Sequence, residues 1–127
     1  MPILMLPDVE LFYQERGVGR PALFVHGFAL DHTMWLDQLV GLAHLRRCVA
    51  IDLRGSGRSH IGLEPARVAA FHIADVLAVI ALLGGGKVDL VGHSMGGHIA
   101  LAVAAEAPDK VRSLALFGVM KREEYSF

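Results

Sequence analysis

The sequence predicts an α/β domain: a doubly wound, mostly parallel sheet with helices on both faces. Three observations predict it. Hydrophobic residues fill 54% of the 127 positions and mean hydropathy is +0.46. That suits strands buried on both faces, which read as solid apolar runs. Short apolar runs also alternate with stretches at helical spacing, in the order β-β-β-α-β-α-β-α-β. Strands joined by crossover helices run parallel, and the helices then cover both faces. The length suits one domain, residues 1–127.

Ile3 to Leu6 and Glu10 to Glu15 read as two short strands around a Pro7-Asp8 turn. Arg16 to Arg20, with two glycines, is a loop. Ala22 to His26 is an apolar strand ended by Gly27. Trp35, Leu36, Leu39, Val40 and Leu42 give the stretch from Thr33 to Arg46 an apolar helical face. Cys48 to Leu53 is the next strand, broken by the loop Arg54 to Ser59. A long helix is expected from Glu64 to Leu83, with Pro65 in its first turn, where a missing N–H does no harm. Gly84 to Gly86 stop it. Val88 to Val91 is a strand, Met95 to Ala107 a helix ended by Pro108, and Val111 to Val119 holds the last of about six strands.

Several function classes are disfavoured. Net charge is −1, and only Arg46-Arg47 and Lys121-Arg122 are adjacent basic pairs, which argues against a nucleic-acid partner. The longest apolar stretch, Val68 to Leu83, carries His72 and Asp75 and falls short of the about 18 uninterrupted residues a membrane span needs. The lone cysteine, Cys48, permits no internal disulfide, and MPILMLPDVE lacks the basic start of a signal peptide, so a cytoplasmic setting is expected. Gly55-Ser-Gly57 has His60 where a dinucleotide-binding turn needs glycine, and Gly86-Lys87 is followed by Val88, not by serine or threonine. His72 and Asp75 share a helix face, but two ligands make no metal site. Neither metal nor cofactor is expected.

Val88 to Gly97 (VDLVGHSMGG) places G-x-S-x-G at a strand-to-helix junction. A turn this sharp forces its central residue into strained backbone and presents the Ser94 hydroxyl at the helix N-terminus. Gly92 and Gly96 leave room for neighbouring backbone, and Gly97 lets the helix approach closely. His26-Gly27-Phe28 follows a strand at the same end of the sheet. The backbone N–H groups of Phe28 and Met95 would form a two-donor oxyanion hole. Met34, Trp35 and Met95 are candidates for the wall of an acyl pocket, and equally for core packing.

HGFALDHTMW (His26 to Trp35), IDLRGSGRS (Ile51 to Ser59) and VGHSMGG (Val91 to Gly97) together resemble the α/β-hydrolase superfamily. The nearest branch holds esterases, lactonases and C–C-bond hydrolases, 3-oxoadipate enol-lactonases among them. The resemblance implies Ser94 as nucleophile, Phe28 and Met95 as oxyanion donors, and structural roles for His26, Asp52, Arg54 and Gly55. It implies no cofactor, and a small-molecule ester or lactone as substrate. Branches with an aspartate nucleophile are disfavoured by Ser94.

In that superfamily the serine is followed in the chain by an acid and then a histidine. Here only His98 follows Ser94, with Glu106, Asp109, Glu123 and Glu124 as acids. His98 on the nucleophile's own helix is poorly placed to reach the hydroxyl. The domain is therefore expected to be the incomplete N-terminal portion of the fold, weakly active or inactive alone. Two alternatives are a non-catalytic fragment and one part of a split enzyme. Leu114 to Phe117 would then form an open edge, predicting self-association through 111–119.

Overall fold

A computed structural model describes residues 3–61, 69–84 and 86–119. The strands are β1 (Ile3–Met5), β2 (Val9–Arg16), β3 (Pro21–Val25), β4 (Arg47–Ile51), β5 (His60–Ile61), β6 (Val88–His93) and β7 (Val111–Phe117). The helices are α1 (Leu36–Leu42), α2 (Ala69–Leu82) and α3 (Met95–Glu106). The strands form one sheet in the order β1-β2-β4-β3-β6-β7, and β5 pairs with β2 beside that path. β4, β3, β6 and β7 are parallel neighbours. β2 runs antiparallel to β4, β1 and β5.

Two departures from the sequence expectation have physical causes. β5 spans only two residues and exists through its pairing with Val9 and Glu10, so it has no run of its own to recognise. The expected helix over 33–46 is a 3₁₀ turn (His32–Trp35) followed by the seven-residue α1. Asp31 starts the turn by accepting from the Thr33 N–H (2.8 Å). The chain must leave the helix early, because Arg47 pairs with Pro21 to start β4. Leu45 and Arg46 donate to the Leu42 carbonyl (2.9 and 3.2 Å), closing the last turn. The expected start of α2 at Glu64 and the tail after Val119 lie outside the described residues.

The parallel strands are apolar on both faces, and each face has its own core. Leu23, Val25, Val49, Ile51 and Leu90 pack with Val76, Val79 and Ile80 of α2 and with Ile99 and Val103 of α3. Their neighbours Ala22, Phe24, Cys48 and Ala50 point the other way, onto Trp35 and Leu39. This two-sided burial explains the high apolar fraction. Cys48 is a buried small hydrophobe, its thiol pKa pushed up by burial.

The chain leaves β3 towards β4 on one side and leaves β6 towards β7 on the other. Right-handed crossovers in opposite directions put α1 and α3 on opposite faces. Open α/β sheets bind ligands outside the carboxyl ends of the strands where the winding reverses, which here are β3 and β6. No helix among the described residues is long and apolar enough to cross a membrane.

Candidate active site

Two residues beyond these strand ends are strained. Among the described residues, only Ala29 (φ 63°) and Ser94 (φ 54°) are non-glycines with positive φ. Ala29 follows β3 and Ser94 follows β6, and these strands are neighbours (Val25 opposite Gly92). Such backbone costs about 1–3 kcal/mol per residue and persists only where its surroundings hold it.

What holds Ser94 is visible. Its N–H donates to the Phe117 carbonyl (2.9 Å), and its own carbonyl accepts from Gly97 (2.9 Å) and His98 (3.2 Å). The glycines let three backbones meet. A methyl on Gly92 would collide with the carbonyl of Gly96 and stand 2.6 Å from the Gly97 Cα. One on Gly96 would collide with the carbonyl oxygens of Val25 and His26. One on Gly97 would meet the side-chain end of Val119. Ser94 caps α3, and Met95 is the helix's first residue, so helix geometry supplies no acceptor for its N–H.

The opposing loop is fixed by His26, which is fully buried. Its Nδ1–H donates to the Gly27 carbonyl (2.8 Å), and its Nε2 accepts from the Leu53 N–H (2.9 Å). These partners select one neutral tautomer, and burial pushes the pKa down. Leu30 N–H closes the next turn onto Gly27 O (3.2 Å). Phe28 therefore sits at a loop tip, its side chain largely exposed. Gly27 touches the elbow directly: a methyl there would lie 3.3 Å from the Ser94 Cβ.

Asp52, at the end of β4, organises the third loop. Its Oδ1 accepts from the backbone N–H and Nδ1–H of His32 (2.7 and 2.9 Å), and its Oδ2 from the Arg58 N–H (2.8 Å). Its carbonyl accepts from the Ser59 hydroxyl (2.5 Å), which accepts from the Phe12 N–H (2.9 Å). Gly57 is required here, because any side chain would collide with the Asp52 carboxylate. Asp31, His32 and Asp52 bring three ligand-type atoms within 4.8 Å of one another. Hydrogen bonds at these three residues tie the loop together. Sequence reasoning missed His32 because its partner is 20 positions away with no shared pattern.

Next to this loop, Arg54 clamps α2 and the β1–β2 turn. Its Nε and Nη2 donate to Asp75 (both 2.7 Å), and its Nη1 donates to Asp8 (2.7 Å). Its guanidinium also lies 4.8 Å from the Phe71 ring centroid.

Trp35 ends the 3₁₀ turn before α1. It is buried, its ring centroid 5.2 Å from that of Phe24, within the second core. The packing of apolar residues on the α1 face draws it inward. His98 reaches Ser94 through its backbone N–H, and Glu123 and Glu124 lie outside the described residues. Two surface hollows, around Glu15 to Gly19 with Arg47 and around Leu77 to Ala81 with Ala107 to Lys110, are remote from Ser94.

A family whose description is the alpha/beta hydrolase fold matches this chain over residues 21–125. The chain belongs to that family. The α/β-hydrolase relatives are chemically varied. The chain is 42% identical over 98 residues to the dihydrolipoyllysine-residue acetyltransferase component of the acetoin cleaving system of Pseudomonas putida, covering 77% of this chain and 26% of that protein. It is 38% identical over 128 residues to a non-heme haloperoxidase of Rhodococcus erythropolis, covering 94% and 44%. Among solved structures, a thermophilic esterase from Thermogutta terrifontis superposes with TM-score 0.88 at 32% identity, covering 96% of this chain and 47% of that one. The Bacillus megaterium epoxide hydrolase gives TM-score 0.84 at 29% identity, covering 93% and 42%. This chain spans less than half the length of each of these α/β-hydrolase relatives.

Proposed function

We propose that this chain carries the nucleophile-bearing part of a serine hydrolase acting on carboxylic esters, lactones or related acyl bonds. The observation that carries the reading is Ser94, held at φ 54° between β6 and the N-terminus of α3, across from the strained loop after β3. In the reaction the Ser94 Oγ attacks the acyl carbon and its proton passes to a base. The carbonyl oxygen becomes an oxyanion, received by the N–H groups of Phe28 and Met95, each such donor being worth about 3 kcal/mol in the transition state. The alcohol departs with the proton, and water then cleaves the acyl-Ser94 ester by the same route reversed. No cofactor takes part. The epoxide-hydrolase likeness bears on the fold, since the residue at this elbow is a serine.

A second reading is favoured by one observation: His98 is the only histidine after Ser94 in these 127 residues. Under it the base and its orienting acid come from residues outside these 127, as on a partner polypeptide, or these residues are not catalytic by themselves. Labelling of the purified chain with a fluorophosphonate probe, with Ser94→Ala as control, separates these. Serine-dependent labelling supports an armed nucleophile. A folded chain that stays unlabelled sinks catalysis by this chain alone.

A further inference from the structure

The basic residues that lie scattered along the sequence are gathered by the topology at the pole opposite Ser94. Arg20 precedes β3, Arg46 and Arg47 open β4, Lys87 precedes β6, Arg112 is the second residue of β7, and Arg16 ends the antiparallel β2. Parallel order puts all these strand ends together. The carboxylates at the same ends are Glu15, Asp89 and Asp109, the last of them two residues before β7.

Glu15 is spent on Arg47, which donates to it at 2.6 Å. Asp89 alone faces three guanidinium groups. It is 5% exposed, and Arg46 Nη1 donates to it at 2.5 Å, Arg112 Nε at 3.2 Å and the Ser113 hydroxyl at 2.7 Å. Arg20 Nε stands 3.4 Å away. One buried negative charge thus holds three positive ones together. Each guanidinium has five N–H donors, and each meets Asp89 through one nitrogen. The side chains of Arg20 and Arg112 are 46% and 45% exposed, so their remaining donors reach solvent. The scaffold is stiff: the Arg47 N–H donates to the Arg20 carbonyl (3.3 Å), and Gly17 packs against the Arg46 and Ala43 carbonyls with no room for a side chain.

We infer that the Arg20–Arg46–Arg112 crown on Asp89 binds a small doubly charged oxyanion, such as a phosphate or phosphate ester, at the pole remote from Ser94. A planar guanidinium offers paired N–H groups that match oxyanion geometry, and such bonds are stronger than neutral ones. Binding there relieves the mutual repulsion of three cations sharing one carboxylate. The role is separate from any reaction at Ser94 and does not depend on it.

The test titrates the 127-residue chain with inorganic phosphate, then with malonate, each against sodium chloride at equal ionic strength. Arginine Nε–Hε NMR shifts and the melting temperature are followed. Saturable shifts and a rise in Tm beyond the chloride control are expected. Response to phosphate alone assigns a phosphate ligand, and response to both assigns oxyanion dianions generally, dicarboxylates included. Arg20→Gln and Arg112→Gln change half-exposed side chains and leave Arg46 on buried Asp89, so folding is preserved and is checked by circular dichroism. Each is expected to weaken binding about tenfold, the size of one charge-assisted contact. Effects equalled by chloride, or unchanged in both variants, overturn the inference.

Discussion

Gly27 and His93 meet just beyond the carboxyl ends of β3 and β6: a methyl on Gly27 would lie 2.8 Å from the His93 Nδ1. The loop carrying Phe28 and the turn carrying Ser94 are therefore set by each other. Neither element can be repositioned without displacing its neighbour.

The elbow glycines should differ in cost according to what they face. At Gly96 the obstacles are the Val25 and His26 carbonyls, backbone that cannot give way. At Gly97 the nearest obstacle is the tip of the Val119 side chain, which can rotate. Gly96→Ala is expected to destabilise by about 3 kcal/mol, at the upper end of overpacking costs, and Gly97→Ala by about 1 kcal/mol or less. Urea unfolding midpoints at constant m would show the order. Equal costs would mean that α3 shifts freely on β3.

Stability should fall as pH drops below about 6.5. Burial pushes the pKa of His26 and of His72 below the ordinary histidine value of about 6.5. The unfolded chain then takes up protons that the folded chain refuses, so their contribution is present above 6.5 and lost below it. The two histidines should separate on mutation. The His72 Nδ1 has no hydrogen-bond partner among the described residues, so His72→Leu should flatten the pH dependence with little loss at pH 7.5. His26→Ala strands the Leu53 N–H and should cost about 2 kcal/mol at neutral pH. Urea midpoints at pH 7.5 and 5.5 measure both.

The fold and the elbow were legible because each leaves a local mark. Two-sided burial makes Leu23 to Val25 and Val49 to Ile51 solid apolar runs, and close backbone approach forces glycine at 92 and 96. The rest depends on partners distant in sequence. Asp52 finds His32 20 positions away, Arg54 finds Asp75 21 away, and Asp89 gathers Arg20, Arg46 and Arg112 only because the parallel strands bring their starts together. Trp35 shows the converse. Its spacing fits a helical face, but the ring it packs on, Phe24, lies on β3.

The Arg54 clamp should be asymmetric. Each carboxylate takes two bonds, but Asp75 is 1% exposed whereas the Asp8 side chain is 56% exposed. Arg54→Leu leaves Asp75 as an unpaired buried charge and is expected to cost about 3 kcal/mol. Asp8→Ala should change stability little, because an exposed pair is screened by water. The double variant Arg54→Leu with Asp75→Leu should recover much of the single loss, since an apolar pair replaces an ionic one at small cost. No recovery in thermal or urea unfolding would mean that the clamp acts through packing on Phe71 instead.

β7 should make the chain self-associate. Among the described residues it pairs only with β6, and Leu116 and Phe117 are 37% and 53% exposed. Seven residues of unpaired edge offer N–H and C=O groups to another strand. A second copy fits this demand, because a two-fold axis lets identical edges pair antiparallel and cover each other's apolar residues. Light scattering on the purified chain of 13.7 kDa should give the mass of a dimer or larger species. Leu116→Lys, which puts onto the edge the charge that natural sheets use to block such pairing, should shift it towards monomer without loss of helix signal. A stable, monodisperse monomer of the unaltered chain would show that this edge is already protected.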